Sequence, residues 1–300
     1  MCQFKDKISI IGVGRLGSAL ANALYKNHYA IVGLIDHSFS LAKNVAKLVG
    51  SEIFSNKILD LAESDIIFIA VPDDEINSVV SDLTGCFKRK QVAKFVFHTS
   101  GALTSDVFDP LIEFDVVGAS LHPIQAFTGE KCDWRKFQNI YFGVEGNPTA
   151  IEKASEIIKA IKGHKIYIPK QHKSLYHLAC TIASNYMISL MIPVTDLFKQ
   201  LNFSEHETLE IIHPLLLTTL TNLKCREIEG ALTGPISRGD IGTIKKHVGI
   251  LSKKFPAYKS LYQLHGKILM NLKSVIDKIP DEKYNELITF LNEKGLENGR

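Results

Sequence analysis

The chain has 300 residues, 45% of them hydrophobic and 22% charged. That is enough to bury a large core and, at roughly 150 residues per domain, points to two domains, which excludes disorder and collagen-like repeats. Lys+Arg of 35 against Asp+Glu of 32 leave a net charge of +3 with no dense basic run, so nucleic acid is excluded as the expected partner.

The N-terminus, MCQFKDKISIIGVG, breaks its apolar run with glycines and has no small-residue cleavage site, so it does not read as a signal peptide. Five cysteines, Cys2, Cys86, Cys132, Cys180 and Cys225, make no C-x-x-C pair and no zinc spacing. They predict a reducing, cytoplasmic setting and no metal site.

A strand over 7–13 runs into Gly12, Gly14 and Gly17, spaced G-x-G-x-x-G at the mouth of an amphipathic helix, with Arg15 and Leu16 between the glycines. Gly12 permits a tight turn, Gly14 lets the backbone approach a pyrophosphate, and Gly17 lets the helix press on the strand. The helix N-terminus then offers unpaired N–H groups to the anion. The second strand, 30–35, ends at Asp36, 19 residues after Gly17, where a carboxylate bonds the ribose 2′-hydroxyl of NAD. His37, Ser38 and Arg15 are expected near the same corner, where an arginine suits a 2′-phosphate, so NAD(H) and NADP(H) both stand.

Further strands are predicted at 52–55, 65–71, 93–98, 115–120, 139–144 and 165–168. The run IIFIAV is apolar at every position, as in a central strand covered on both faces. Val71 and Pro72 follow it, where the backbone borders a cofactor or where Asp73 or Asp74 caps a helix. Strands separated by helical patterns predict parallel pairing in a Rossmann-type, doubly wound α/β sheet whose ligand crevice lies beyond the carboxyl ends of the strands. The ends of the fifth and sixth strands are polar: His98, Thr99 and Ser100, then Ser120, His122 and Pro123. These hydroxyls and imidazoles suit a carboxylate or a reacting carbonyl, although loop capping also accounts for Thr99 and Ser100.

Beyond Pro169 the strand signal stops and helical patterns follow at 171–200, 204–223, 241–254, 257–279 and 281–294, with a frayed tail at 297–300. The predicted division is a dinucleotide-binding domain over 1–168 and a helical substrate and dimerisation domain over 169–300. Leu175 to Val194 is long and apolar, but His177, Thr181, Ser184, Asn185, Ser189 and Pro193 predict a buried soluble helix rather than a membrane span. Lys173, His177 and Asn185 fall along one stripe of it. Hydride transfer to a carbonyl needs a proton donor and a cation for an anionic substrate, and Lys173 can serve as either. The other reading leaves Lys173 solvated and His177 a satisfied core residue. Only six of the 35 basic residues are arginine, so Arg238 in the glycine-rich loop 230–240 stands out as a bidentate carboxylate ligand, with Asp240 orienting it or capping the next helix. The apolar helices 175–194 and 209–223 carry more hydrophobic surface than a small helical domain needs, which predicts a homodimer through the C-terminal half.

Taken together, IIGVGRLGSAL, AVPDDEI, HTSGAL, SLHPIQAF, KSLYHLACTIASNY and above all ALTGPISRGD resemble a family of Rossmann-like proteins with a helical C-terminal domain of formerly unknown function. The resemblance runs from about residue 6 to residue 270. The family is distantly similar to pyrroline-5-carboxylate reductase, 6-phosphogluconate dehydrogenase and the deazaflavin-dependent NADP reductases, and some members serve as an alternative ketopantoate reductase in pantothenate and coenzyme A synthesis. This resemblance implies cofactor binding by Gly12, Gly14 and Gly17, a site lined by Ser100, His122 and Arg238, and Lys173 in the place of a catalytic lysine. The chain has His177 where a usual ketopantoate reductase has asparagine, and Asp36-His37 where many members have a Ser-Arg pair. The expected activity is NAD(P)H-dependent reduction of a small 2-oxo acid. Imine reduction of the pyrroline-5-carboxylate type and nucleotide sensing without turnover are the alternatives.

Overall fold

The computed structural model describes residues 5–90, 92–128 and 132–292. Cys2, the last two positions of the helix predicted to reach 294 and the predicted tail lie outside the described residues. In chain order the elements of the first part are β1 (Lys7–Ile11), α1 (Arg15–Lys26), β2 (Ala30–Ile35), α2 (Phe39–Val49), β3 (Ile53–Ser55), β4 (Ile66–Ile69), α3 (Asp73–Phe87), β5 (Phe95–His98), β6 (Val117–Pro123), β7 (Tyr141–Gly146), α4 (Pro148–Ala160) and β8 (His164–Tyr167). The strands form one sheet in the order β3-β2-β1-β4-β5-β6-β7-β8.

Alternate residues of the central strands feed two separate cores. Ile8, Ile10, Phe68 and Phe97 pack with α1, α2 and α4, while Ile67, Ile69 and Val96 pack with α3. Both faces are therefore covered, which is why these strands read as unbroken apolar runs. The expectation of uniformly parallel pairing fails at one place, because β6 and β7 are antiparallel. A parallel return needs a crossover element, and the described residues between them carry only a short 3-10 turn, Trp134–Phe137.

Two compact units divide between Met187 and Ile188, later than the change of sequence texture at 168/169. Helix α5 (Lys173–Thr181) and a π-helical turn (Ile182–Tyr186) belong to the first unit. The second unit contains all but the first residue of α6 (Met187–Lys199), followed by α7 (Glu205–Ala231), α8 (Ile241–Lys254), α9 (Pro256–Met270), α10 (Lys273–Ile276) and α11 (Asp281–Asn292). The helix predicted over 257–279 is in fact two, because the extended backbone of Leu272 ends α9 and starts α10. The core of this unit gathers Ile236, Ile244, Met270, Val275, Ile279, Leu287 and Leu291.

The segment predicted as a buried helix is not buried within the chain. Leu175, Leu178, Ile182, Tyr186, Ile188 and Ile192 are exposed, and the run Lys170–Lys199 is long and apolar enough, by length and composition, to cross a membrane.

Candidate active site

The glycine turn is built as its spacing predicts. Gly12 has φ +85°, and a Cβ there would lie 2.6 Å from the Ala70 carbonyl oxygen; at Gly17 it would lie 1.9 Å from the Gly12 oxygen. These two positions lock β1, α1 and β4 together, and no side chain can replace their hydrogens without moving backbone. Gly14 faces open space and caps α1 with no side-chain hydrogen bond to the first N–H groups, as an anion cradle requires. The turn is braced from β2: the Asp36 carboxylate accepts the Val13 N–H at 2.8 Å and the Ser38 N–H at 2.9 Å. A nicotinamide dinucleotide fits this frame, with Gly12, Gly14 and Gly17 shaping the pyrophosphate seat.

Two hollows flank the turn. One, of about 200 Å³, is lined by Gly12, Gly14, Asp36, His37, Val71 and Pro72, with Asn56 and Glu75 as further polar members. The other, of about 370 Å³, is lined by Gly14, Arg15, Leu16, Val71, Pro72, Asp73, Thr99, Ser100, Gly101, His122, Gln125 and His177. Arg15 lines the second hollow, while Asp36 and His37 line the first. His37 approaches Glu75 at 3.5 Å, an exposed pair of little energetic weight.

Behind the second hollow lies a buried polar group. Lys173, at the start of α5, is only 1% exposed; its ammonium donates to Ser120 Oγ at 2.7 Å and to the Ser100 carbonyl at 3.2 Å. It is therefore neither solvated nor a wall residue of the hollow, but sits directly behind Ser100. Burial holds its pKa down at about 8, with Glu145 and Asp73 opposing the shift. Ser120 in turn donates to the Ser100 carbonyl at 3.0 Å. The Ser100 hydroxyl donates to Asp73 at 2.7 Å and accepts the N–H groups of Ala102 and Leu103. It is committed to its own turn, as the capping alternative allowed. Glu145, 2% exposed and opposite Ser120 in the sheet register, accepts both the main-chain N–H and the hydroxyl of Ser105.

Two histidines close the strands. His98 is fully buried: its Nδ1 accepts the Ser100 N–H at 3.2 Å and its Nε2 lies 3.3 Å from the Thr104 carbonyl. Burial lowers its pKa to about 3, with the charge of Lys173 adding to the shift, so it is a neutral strut. His122 is less enclosed; burial first, then Lys173 and His177, lower its pKa to about 4. Its Nδ1 lies 2.7 Å from the Tyr176 hydroxyl, and its ring meets His177 edge to face at 5.8 Å. Of the predicted site residues, Gly14, Arg15, Leu16, Val71, Pro72, Ser100, His122 and His177 line this hollow, Lys173 and Ser120 lie behind Ser100, and Gly12, Asp36 and His37 line the first hollow. Asn185 lines neither: the π-helical turn rotates the later residues of the stripe, and Asn185 is exposed.

In the second unit, Asp240 caps α8 by accepting the Thr243 N–H at 3.0 Å and its hydroxyl at 2.7 Å, and Arg238 is exposed in the preceding turn. Sequence reading gave no site role to Tyr176, Gly101 and Glu145, and read Asp73 only as a helix cap. Tyr176 had a usable signal, since it lies one helical turn after Lys173; Glu145 had none, because its neighbours are distant in sequence.

Residues 1–123 match the Rossmann-like domain family, and residues 140–268 match the domain of unknown function DUF2520. A pyrroline-5-carboxylate reductase of Methanosarcina acetivorans is 25% identical over 168 residues, 55% of this chain. The match spans 59% of that relative's length. Among solved structures, a protein from Thermotoga maritima is 27% identical with a TM-score of 0.68, over 90% of this chain and 98% of its own. The pyrroline carboxylate reductase of Plasmodium falciparum, solved with NADP bound, shares the fold at 14% identity and a TM-score of 0.58, over 95% of this chain and 99% of its own.

Proposed function

We propose that this chain, a Rossmann-like domain followed by a DUF2520 domain, is a cytoplasmic NAD(P)H-dependent reductase of a small 2-oxo acid, with 2-dehydropantoate as its substrate and pantoate as product. The observation that carries the reading is the convergence of the dinucleotide turn with Lys173, Ser120 and His122 at the carboxyl ends of β5 and β6. A bound nicotinamide supplies the hydride. Lys173 holds a proton at neutral pH and can release it near its working pH; lying behind Ser100, it is assigned as the source of the proton for the reduced carbonyl, relayed through His177 on the wall of the hollow. Ser120 and the Ser100 carbonyl fix its ammonium, and His98 fixes Ser100. Asp240 caps α8 and orders the glycine turn that carries Arg238.

The similarity to a pyrroline-5-carboxylate reductase supports a second reading, reduction of a cyclic imine. Dinucleotide oxidation is to be followed with 2-dehydropantoate and with pyrroline-5-carboxylate as separate substrates. Under the first reading only the oxo acid is turned over, and Lys173→Met lowers kcat on the order of 100-fold while dinucleotide affinity is kept. Turnover of the imine alone, surviving that substitution, selects the second. Dinucleotide binding without oxidation of either substrate would make the chain a nucleotide sensor.

A further inference from the structure

Helix α5 holds β6 at two points. Lys173 bonds Ser120 and, one turn on, Tyr176 bonds His122; Ser120 and His122 are two apart in a strand and so share a face. The Tyr176 hydroxyl reaches His122 over Gly143, the register partner of His122 in β7, where a Cβ would lie 2.5 Å from that oxygen. On the other side of the ring, a Cβ at Gly101 would lie 2.9 Å from His122 Nε2. Two glycines thus leave room on either side of one imidazole: Nδ1 is turned to Tyr176 and Nε2 towards Gly101, which lines the hollow.

The Tyr176 oxygen has three polar neighbours, His122 Nδ1, the main chain of Gly143 and the Cys180 thiol. A phenol accepts two hydrogen bonds and donates one. A main-chain N–H only donates and a thiol is a weak partner in either sense, whereas a phenol is a far stronger acid than a neutral imidazole N–H and an imidazole nitrogen a far better acceptor than a phenol oxygen, so across the 2.7 Å contact the phenolic proton goes to Nδ1. Burial raises the Tyr176 pKa and lowers that of His122, so both are neutral at pH 7, and Lys173 and His177 around the ring oppose a second proton on it. An imidazole that accepts at Nδ1 carries its hydrogen at Nε2.

We propose that Tyr176 is a positioning residue that locks His122 in its Nε2–H tautomer, so that His122 presents a neutral N–H to the carbonyl oxygen of the substrate. The tautomer is independent of the reductase reading; only the identity of the acceptor rests on it. A neutral donor of this kind stabilises charge as it builds on the oxygen and leaves proton delivery to another group.

The test is nitrogen NMR of protein carrying 15N-labelled histidine, with His122 assigned by the signal lost in His122→Gln. Wild-type protein should show His122 protonated at Nε2 alone at pH 7, and Tyr176→Phe should bring in the Nδ1–H form. With the oxo acid, His122→Phe should lower kcat on the order of 100-fold, and Tyr176→Phe by a smaller factor with the dinucleotide KM unchanged. A wild-type His122 protonated at Nδ1 overturns the proposal without any variant, as does a Tyr176→Phe protein whose tautomer is that of wild type. If no oxo acid is turned over, the reductase reading and the proposed acceptor fall, while the NMR result still decides the role of Tyr176.

Discussion

Lys173 shows what a single residue can and cannot tell in isolation. As a letter in KQHKSLYH it is one of many lysines; in the structure it is nearly inaccessible and carries two hydrogen bonds. Because burial lowers its pKa to about 8, and the protonated form is the one that donates, kcat/KM for the oxo acid should fall as pH rises through about 8. Lys173→Arg, which keeps its charge far higher, should move that alkaline limb out of range; a limb that stays put assigns it to another group. His98 and His122 also act on stability. Their pKa values fall from 6.5 to about 3 and about 4 on folding, so below pH 6.5 the unfolded chain takes up protons that the folded chain refuses. Their stabilising contribution is complete above pH 6.5 and is lost as pH falls towards those lower values, at up to about 1.4 kcal/mol per pH unit for each histidine. Denaturant midpoints measured between pH 7 and 4.5 should show this slope, and His122→Asn should remove about half of it.

At the scale of elements, the first crossover was the most legible part of the chain, because G-x-G-x-x-G restricts the backbone locally. The same restriction makes it testable. Gly17→Ala places a methyl 1.9 Å from a carbonyl oxygen, so α1 must move off the turn. Overpacking of this kind costs ~1–3 kcal/mol, and NADPH affinity measured by fluorescence titration should fall at least about tenfold. Unchanged affinity would place the dinucleotide elsewhere. The antiparallel β7 was less legible: nothing in its residues, YFGVEG, marks a direction, which depends on a connection whose path is not encoded in strand composition. The stripe from Lys173 to Asn185 was legible over its first two turns only, since a π-helical turn at Ile182–Tyr186 breaks the periodicity on which the reading relied.

At the scale of the molecule, the C-terminal unit carries an exposed apolar face. On α7, Leu209, Ile211, Leu215, Leu217, Leu220 and Leu223 are all exposed, and a helix apolar on most sides does not stand in water. We expect a second copy to cover it. Sedimentation should give twice the chain mass of 33.4 kDa, and Leu217→Glu should shift the protein towards monomer with a lower Tm; a wild-type chain that stays monomeric at micromolar concentration refutes the dimer. The sequence alone determined the Rossmann-type sheet, the dinucleotide turn and the helical second half, because each rests on periodicities and backbone restrictions that act between near neighbours. Tertiary structure decided which polar residues meet. Lys173 finds Ser120, Tyr176 finds His122 and Glu145 finds Ser105 only after strands distant in the chain have paired, since burial and hydrogen bonding are properties of the assembled site rather than of any segment within it.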